Sequence, residues 1–212
     1  MISAAIIAST QEDLNHRIAR VAAHVPAVHI DVMDGRFVQA RSNFCFAVKL
    51  LPFPVVYEAH LMVDFPGMWI SQHVHQFETV IPHFERVKNP LDIIAFVHGK
   101  EYAPGKKCKV GFALSPETLL GAVVPYLEHI DRVLIMTVQP GQYGAPFVES
   151  TIDKIAELRK IYGGRIQVDG HQDPVHARLC AQAGATDFAV GSYLQNGDVK
   201  EAVRSIEEAI RL

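Results

Sequence analysis

Cysteine pairs, long apolar runs and linkers are what this chain has least of. Its three cysteines, Cys45, Cys108 and Cys180, are odd in number and widely spaced. They offer neither a disulfide framework nor a CxxC metal clip, so idle or buried thiols in a reducing cytoplasm are expected. No run approaches the ~20 apolar residues that a membrane helix needs. The apolar start, Met1 to Ala8, lacks the basic flank and cleavage-like end of a signal peptide and reads as a strand. Neither sign of charge dominates: the formal net charge is -3, which argues against nucleic acid or a membrane surface as the main partner. No Ser/Gly-rich stretch, low-complexity tract or charge block divides residues 1–212, which are read as one domain.

What is present is apolar residue in quantity, 49% of the chain, enough for a sizeable core. It comes in short β-branched runs that alternate with longer amphipathic segments. The expected strands are Ile2–Ala8, Ala27–Met33, Val55–Met62, Thr79–His83, Lys109–Leu114, Arg132–Thr137, Arg165–Asp169 and Thr186–Val190. Helical patterns cover Asp13–Ala23, Pro116–Tyr126, Val148–Tyr162, Pro174–Ala183 and Val199–Ile210, with the second and fourth connections the least defined. Ile152, Ile155, Ala156 and Leu158 keep a period near 3.6 and share a face. Ser115-Pro116 and Asp173-Pro174 each place an N-cap side chain before a first-turn proline. Eight strands alternating with helices predict a parallel sheet with right-handed crossovers, closed into a single (β/α)8 TIM barrel. An open doubly wound sheet would carry a Gly-rich loop after its first strand, where this chain has Ile7-Ala8-Ser9-Thr10.

Polar residues gather at the C-terminal ends of these strands, where barrel enzymes place their sites. The second strand reads His29-Ile30-Asp31-Val32-Met33-Asp34-Gly35, and alternation puts His29, Asp31 and Met33 on one face. The third ends His60-Leu61-Met62 and the seventh ends Val168-Asp169-Gly170. Two histidines and two carboxylates thus converge on one mouth, a reasonable ligand set for one divalent transition ion; zinc, iron, manganese and cobalt all suit it. Asp34 lies just past its strand and is read as a loop cap or a supporting partner. His73 and His75 are two apart in a helical segment, do not share a face, and are read as surface histidines. His83 either faces the mouth or is structural.

The series His-Ile-Asp-Val-Met-Asp-Gly, His-Leu-Met, Met136-Thr137-Val138-Gln139-Pro140-Gly141, Val-Asp-Gly and Gly191-Ser192, in this order, resembles the ribulose-phosphate 3-epimerase family from first strand to last. The resemblance implies that His29, Asp31, His60 and Asp169 bind the metal and that Asp31 and Asp169 are the acid/base pair. It implies that Ala8, Met33, Met62 and Met136 line the site. Substrate binding would fall to His60, Gly141, Gln142, Tyr143, Gly144, Gly170, His171, Gly191 and Ser192. The substrate would be a small phosphorylated ketose, most simply D-ribulose 5-phosphate converted to D-xylulose 5-phosphate by an isomerase of the pentose phosphate pathway, and the protein a homo-oligomer. The chemistry fits: inverting the carbon beside a ketone needs a cation to stabilise the enediolate and two carboxylates to move the proton.

The chain departs from the family pattern where phosphate would sit. His171 and Tyr143 stand where the family has glycine, and Ala8 where it has serine. An epimerase for another ketose phosphate, such as a hexulose 6-phosphate, is the nearest rival, and a non-catalytic metabolite-binding barrel a second. The decarboxylase and aldolase branch of phosphate-binding barrels is opposed by the lack of an Asp-x-Lys-x-x-Asp motif.

Overall fold

The computed structural model of the chain describes residues 1–212 apart from Phe44, Phe46, Gln142, Tyr143 and Leu212. Eight parallel strands close into a barrel: β1 (Ile2–Ile6), β2 (Ala27–Met33), β3 (Val56–Met62), β4 (Thr79–Pro82), β5 (Lys109–Leu114), β6 (Arg132–Met136), β7 (Arg165–Asp169) and β8 (Asp187–Val190). Each strand pairs with its sequence neighbours, and β8 returns to β1 through Ile2↔Phe188 and Ala4↔Val190. Around the barrel run α1 (Gln11–Val21), α2 (Pro66–His73), α3 (Pro90–His98), α4 (Ser150–Ile161), α5 (Pro174–Ala183), the short α6 (Ser192–Gln195) and α7 (Val199–Ile210). A small antiparallel hairpin, Glu101–Ala103 with Lys106–Lys107, precedes β5.

Period-two alternation sorts the strand residues into two layers. Outward-facing Val28, Ile30 and Val32 of β2 join the apolar shell between barrel and helices, with Leu14 and Ile18 of α1 and Ile155 and Leu158 of α4. On α7, Val199, Ala202, Ile206 and Ala209 form the buried stripe that helical spacing requires. Inward-facing residues are of two kinds. Ile81, Ala113, Leu134 and Met136 make a compact apolar plug. Below the mouth lies a polar layer in which buried Arg132 is ion-paired to Glu58 and donates to Gln167 Oε1 at 3.1 Å. Gln167 in turn donates to Glu58 Oε2 at 2.9 Å. Gly111 makes room for this arginine, because a Cβ there would lie 2.5 Å from Arg132 Cγ.

The expected architecture is the observed one, with local corrections. Pro116–Tyr126 is not an α-helix; the segment forms two 3-10 stretches, Leu120–Ala122 and Val124–His129. Pro125 has no N–H to give a preceding carbonyl, which breaks the α ladder. Ser115 is therefore no helix cap, and its N–H donates to Glu85 Oε1 at 2.8 Å. Asp173 does cap α5, accepting from Val175 N and His176 N at 2.9 Å each. Among the described residues the β2–β3 connection holds no helix; it is tied back by a bridge between Asp34 and Arg41. His75 is exposed as expected, but His73 is buried, its ring 4.8 Å from that of Trp69, because it falls on the inner face of α2. All three cysteines are buried and unpaired. No helix among the described residues is long and apolar enough to cross a membrane.

Candidate active site

Strand register brings the chemistry together. Asp31 of β2 is paired with His60 of β3, and His29 with Glu58. Asp169 ends β7 and reaches the same point across the barrel. One ligand atom from each of His29, Asp31, His60 and Asp169 lies within 4.8 Å of all the others. His60 Nδ1 is 2.9 Å from Asp31 Oδ1 and 3.3 Å from Asp169 Oδ2. His29 Nε2 is 3.8 Å from each of the same two oxygens. It is fully buried and has no hydrogen-bond partner among the described residues.

The far side of each imidazole explains why the near side is available. His29 Nδ1 lies 3.3 Å from Glu58 Oε2. Burial would raise the Glu58 carboxyl, but Arg132, His29 and Gln167 hold it well below the usual carboxylate range, so it is an anionic acceptor. His29 therefore carries its proton on Nδ1 and presents a lone pair on Nε2. His60 Nε2 lies 3.0 Å from His83 Nε2, and His83 Nδ1 lies 3.1 Å from Glu85 Oε2. Burial pushes His83 down to about 4, so it is neutral and can accept from His60 while donating to Glu85. Glu85 is itself held down to about 2: against burial, His83, Thr118 and the Ser115 N–H all favour its ionised form. With these tautomers both histidines offer an unprotonated nitrogen to the point between the two aspartates. Two imidazole nitrogens, one of them orphaned, and two carboxylates fit a divalent cation, and each imidazole is backed on its far side by a hydrogen-bonded partner.

Without a cation the same groups compensate with protons. Burial and the neighbouring Asp169 push the Asp31 carboxyl up. Burial acts on Asp169 in the same sense, but its hydrogen bond to His60 and the nearby His29 outweigh it and hold that carboxyl down. Burial lowers His60, yet its contacts with both aspartates push it up to about 9.

Asp31 and Asp169 also line a cleft at the mouth, together with Met62 and Met136. Its far wall carries the expected Gly141 and Gly144, Gly170 and His171, and Gly191 and Ser192. Gly141 and Gly170 sit at φ of +80° and +109°, and a Cβ on Gly170 would lie 2.5 Å from Val138 Cγ2. His171 adopts φ of +50° and its Nδ1 is 3.3 Å from Ala145 O. Gln142 and Tyr143 lie outside the described residues.

Three expectations need correction. Ala8 does not line the cleft; it is buried in the outer apolar shell, and the alternation of β1 turns Ala5 and Ile7 to the wall instead. Met33 is buried beside Val38 and Met62 and does not reach the wall. His60 has no surface toward the cleft, since both its ring nitrogens are engaged within the barrel. Asp34 is a loop cap: its carboxylate accepts from Arg36 N, Phe37 N and Asp64 N at 2.8, 3.1 and 2.8 Å. The cleft also contains Arg17, Gln139, Gln172 and Gln195, which the strand-end reading misses because three of them lie on helices or loops with no motif of their own. A second cluster, His171, Asp173 and His176, sits nearer the surface. There Asp173 Oδ1 already takes three donors at 2.9 Å as the cap of α5.

An eight-stranded parallel barrel with paired imidazoles and carboxylates under an open cleft defines a barrel enzyme. Comparison with known proteins agrees on a narrower class. The model of the ribulose-phosphate 3 epimerase family matches residues 1–195. The ribulose-phosphate 3-epimerase of Methanocaldococcus jannaschii is 32% identical, covering 98% of this chain and 90% of its own. That of Chlamydia muridarum is 32% identical, covering 81% of this chain and 77% of its own. Among solved structures, 3-hexulose-6-phosphate synthase from Salmonella typhimurium superposes with a TM-score of 0.69 over 99% of this chain and 97% of its own. At 19% identity that likeness speaks for the fold alone. The chain belongs to the ribulose-phosphate 3-epimerase family and is an isomerase of that type.

Proposed function

We propose that the protein is a divalent-metal-dependent epimerase that inverts C3 of D-ribulose 5-phosphate to give D-xylulose 5-phosphate. The observation that carries this reading is the meeting of Asp31 and Asp169, from strands across the barrel, at one point facing the cleft. Such a pair can act from opposite faces of a planar intermediate, one carboxylate accepting the C3 proton while the other carboxyl donates to the far face. Sharing a buried site makes it costly for both to be ionised, which suits one proton held between them. The roles exchange with the direction of reaction.

His29 Nε2, His60 Nδ1 and one oxygen each of Asp31 and Asp169 would hold the cation. When bound, it supplies Lewis-acid stabilisation of the negative charge that develops on the ketone side of the substrate. Glu58 and the His83–Glu85 pair keep the two imidazoles in the ligating tautomer. Met62 and Met136 give the reacting carbon an apolar wall that excludes water. The loops bearing Gly141, Gly144, Gly170, His171, Gly191 and Ser192 would receive the phosphate end through their backbone N–H groups.

The test is a panel of ketose phosphates with the metal-loaded protein, read for epimerised product. D-Ribulose 5-phosphate is expected to turn over fastest. Preference for a hexulose 6-phosphate would move the substrate assignment while keeping the chemistry. Absence of turnover across the panel would refute the epimerase reading.

A further inference from the structure

We propose that Arg17 is the cationic anchor for the substrate's phosphate and the residue that makes this cleft select a phosphorylated over a neutral ketose; the inference rests on the epimerase reading above. Apart from Arg17 and the backbone N–H groups of the glycine loops, the described residues of the cleft wall offer an anion no fixed positive charge. The acidic groups on it are Asp31 and Asp169, and among the described lining residues Arg17 is the one side chain with a permanent positive charge.

Its placement follows from the packing of α1. Arg20, one turn further along, donates to Gly197 O at 2.8 Å and fastens α1 against the segment that follows α6. Residues three apart lie on one helix face, so Arg17 is carried to the same side. There it lines the cleft beside Gly191, Ser192 and Gln195.

The orientation of the guanidinium is set as well. Arg17 Nε donates to Asp13 Oδ1 at 2.8 Å, its one side-chain partner among the described residues. The backbone N–H of Asp13 donates to the cap hydroxyl of Thr10 at 3.1 Å, which sets Asp13 in the first turn of α1. One edge of the guanidinium is thereby used to aim it, and the NH1/NH2 edge remains for a ligand. That edge presents two parallel N–H groups, which match two oxygens of a phosphate. The side chain is 35% exposed, reachable from the cleft yet tethered.

Calorimetric binding of D-ribulose 5-phosphate and of D-ribulose to metal-loaded wild type, Arg17→Gln and Arg17→Lys tests this. The phosphorylated ligand is expected to bind Arg17→Gln roughly 10- to 100-fold more weakly, the loss of charge-assisted hydrogen bonds. D-Ribulose is expected to bind both proteins alike. Arg17→Lys, which keeps the charge without the fork, should fall between, and carries the test should the glutamine variant fold poorly. In steady state the change should appear in KM more than in kcat. Unchanged affinity for the phosphorylated ligand would overturn the proposal, as would equal losses for both ligands, which mark a merely structural role. D-Ribose 5-phosphate, which has no ketone to epimerise, separates the two readings: Arg17-dependent binding of it by a protein inactive on the ketose panel would sustain the anchor and reject the epimerase.

Discussion

Raising the pH from 7 to 9 is expected to tighten divalent-cation binding by roughly 100-fold. The reason is the proton on His60. In the cation-free protein, Asp31 Oδ1 at 2.9 Å and Asp169 Oδ2 at 3.3 Å hold it on Nδ1, raising the group to about 9 although burial works against it. A cation ligated by that nitrogen must displace the proton, so below pH 9 apparent affinity falls tenfold per unit, roughly 3 kcal/mol over two units. The sign for folding is opposite. The folded-state value lies above the ordinary 6.5 of histidine. The cation-free fold therefore has its full His60 contribution, about 3 kcal/mol, below pH 6.5 and loses it as pH rises through 9. Calorimetric titration with zinc or manganese at several pH values, in buffers of different ionisation enthalpy, reads both affinity and proton release. About one proton should leave per cation at pH 7. A flat affinity between pH 7 and 9 without proton release would refute the reasoning.

Glu58→Gln should weaken metal binding about 10- to 100-fold, because the anionic acceptor that fixes the His29 tautomer is gone. It should also destabilise the fold by about 3 kcal/mol in denaturant titration, since Arg132 is left charged and buried, and adding Arg132→Met should recover much of that loss. Asp34→Ala should cost about 1–3 kcal/mol of stability by stripping the acceptor from three loop N–H groups. Its metal content should stay at wild-type level, since Asp34 is not among the four clustered donors.

The sequence made the barrel and its centre legible for related reasons. Strands β2 and β3 alternate strictly, so side-chain period alone assigns His29 and Asp31 inward and Val28 and Ile30 outward, as the structure has them. Helices α5 and α7 carry their own caps and stripes, and their limits coincide with the expected ones. Chain-local signals conflict at two places. Pro125 sits inside an apolar pattern that otherwise reads as helix, and the proline prevails. Alternation through β1 and just past its end puts Ala5 and Ile7 on the cleft side and Ala4, Ile6 and Ala8 on the outer one. The polar layer of Glu58, Arg132 and Gln167 was invisible, because its members lie up to 109 residues apart and each alone looks like an ordinary surface residue. Arg17 was hidden for the same reason: only packing of α1 against the far end of the chain brings it to the site.

The central claim is tested most directly by following the hydrogen on C3. Metal-loaded protein incubated with D-ribulose 5-phosphate in deuterated water should place deuterium at C3 of both pentulose phosphates, seen as loss of the C3 proton signal by NMR. Asp31→Asn and Asp169→Asn, if folded, should abolish that exchange. Interconversion with C3 protium retained, or undiminished exchange in either asparagine variant, would contradict the two-carboxylate account.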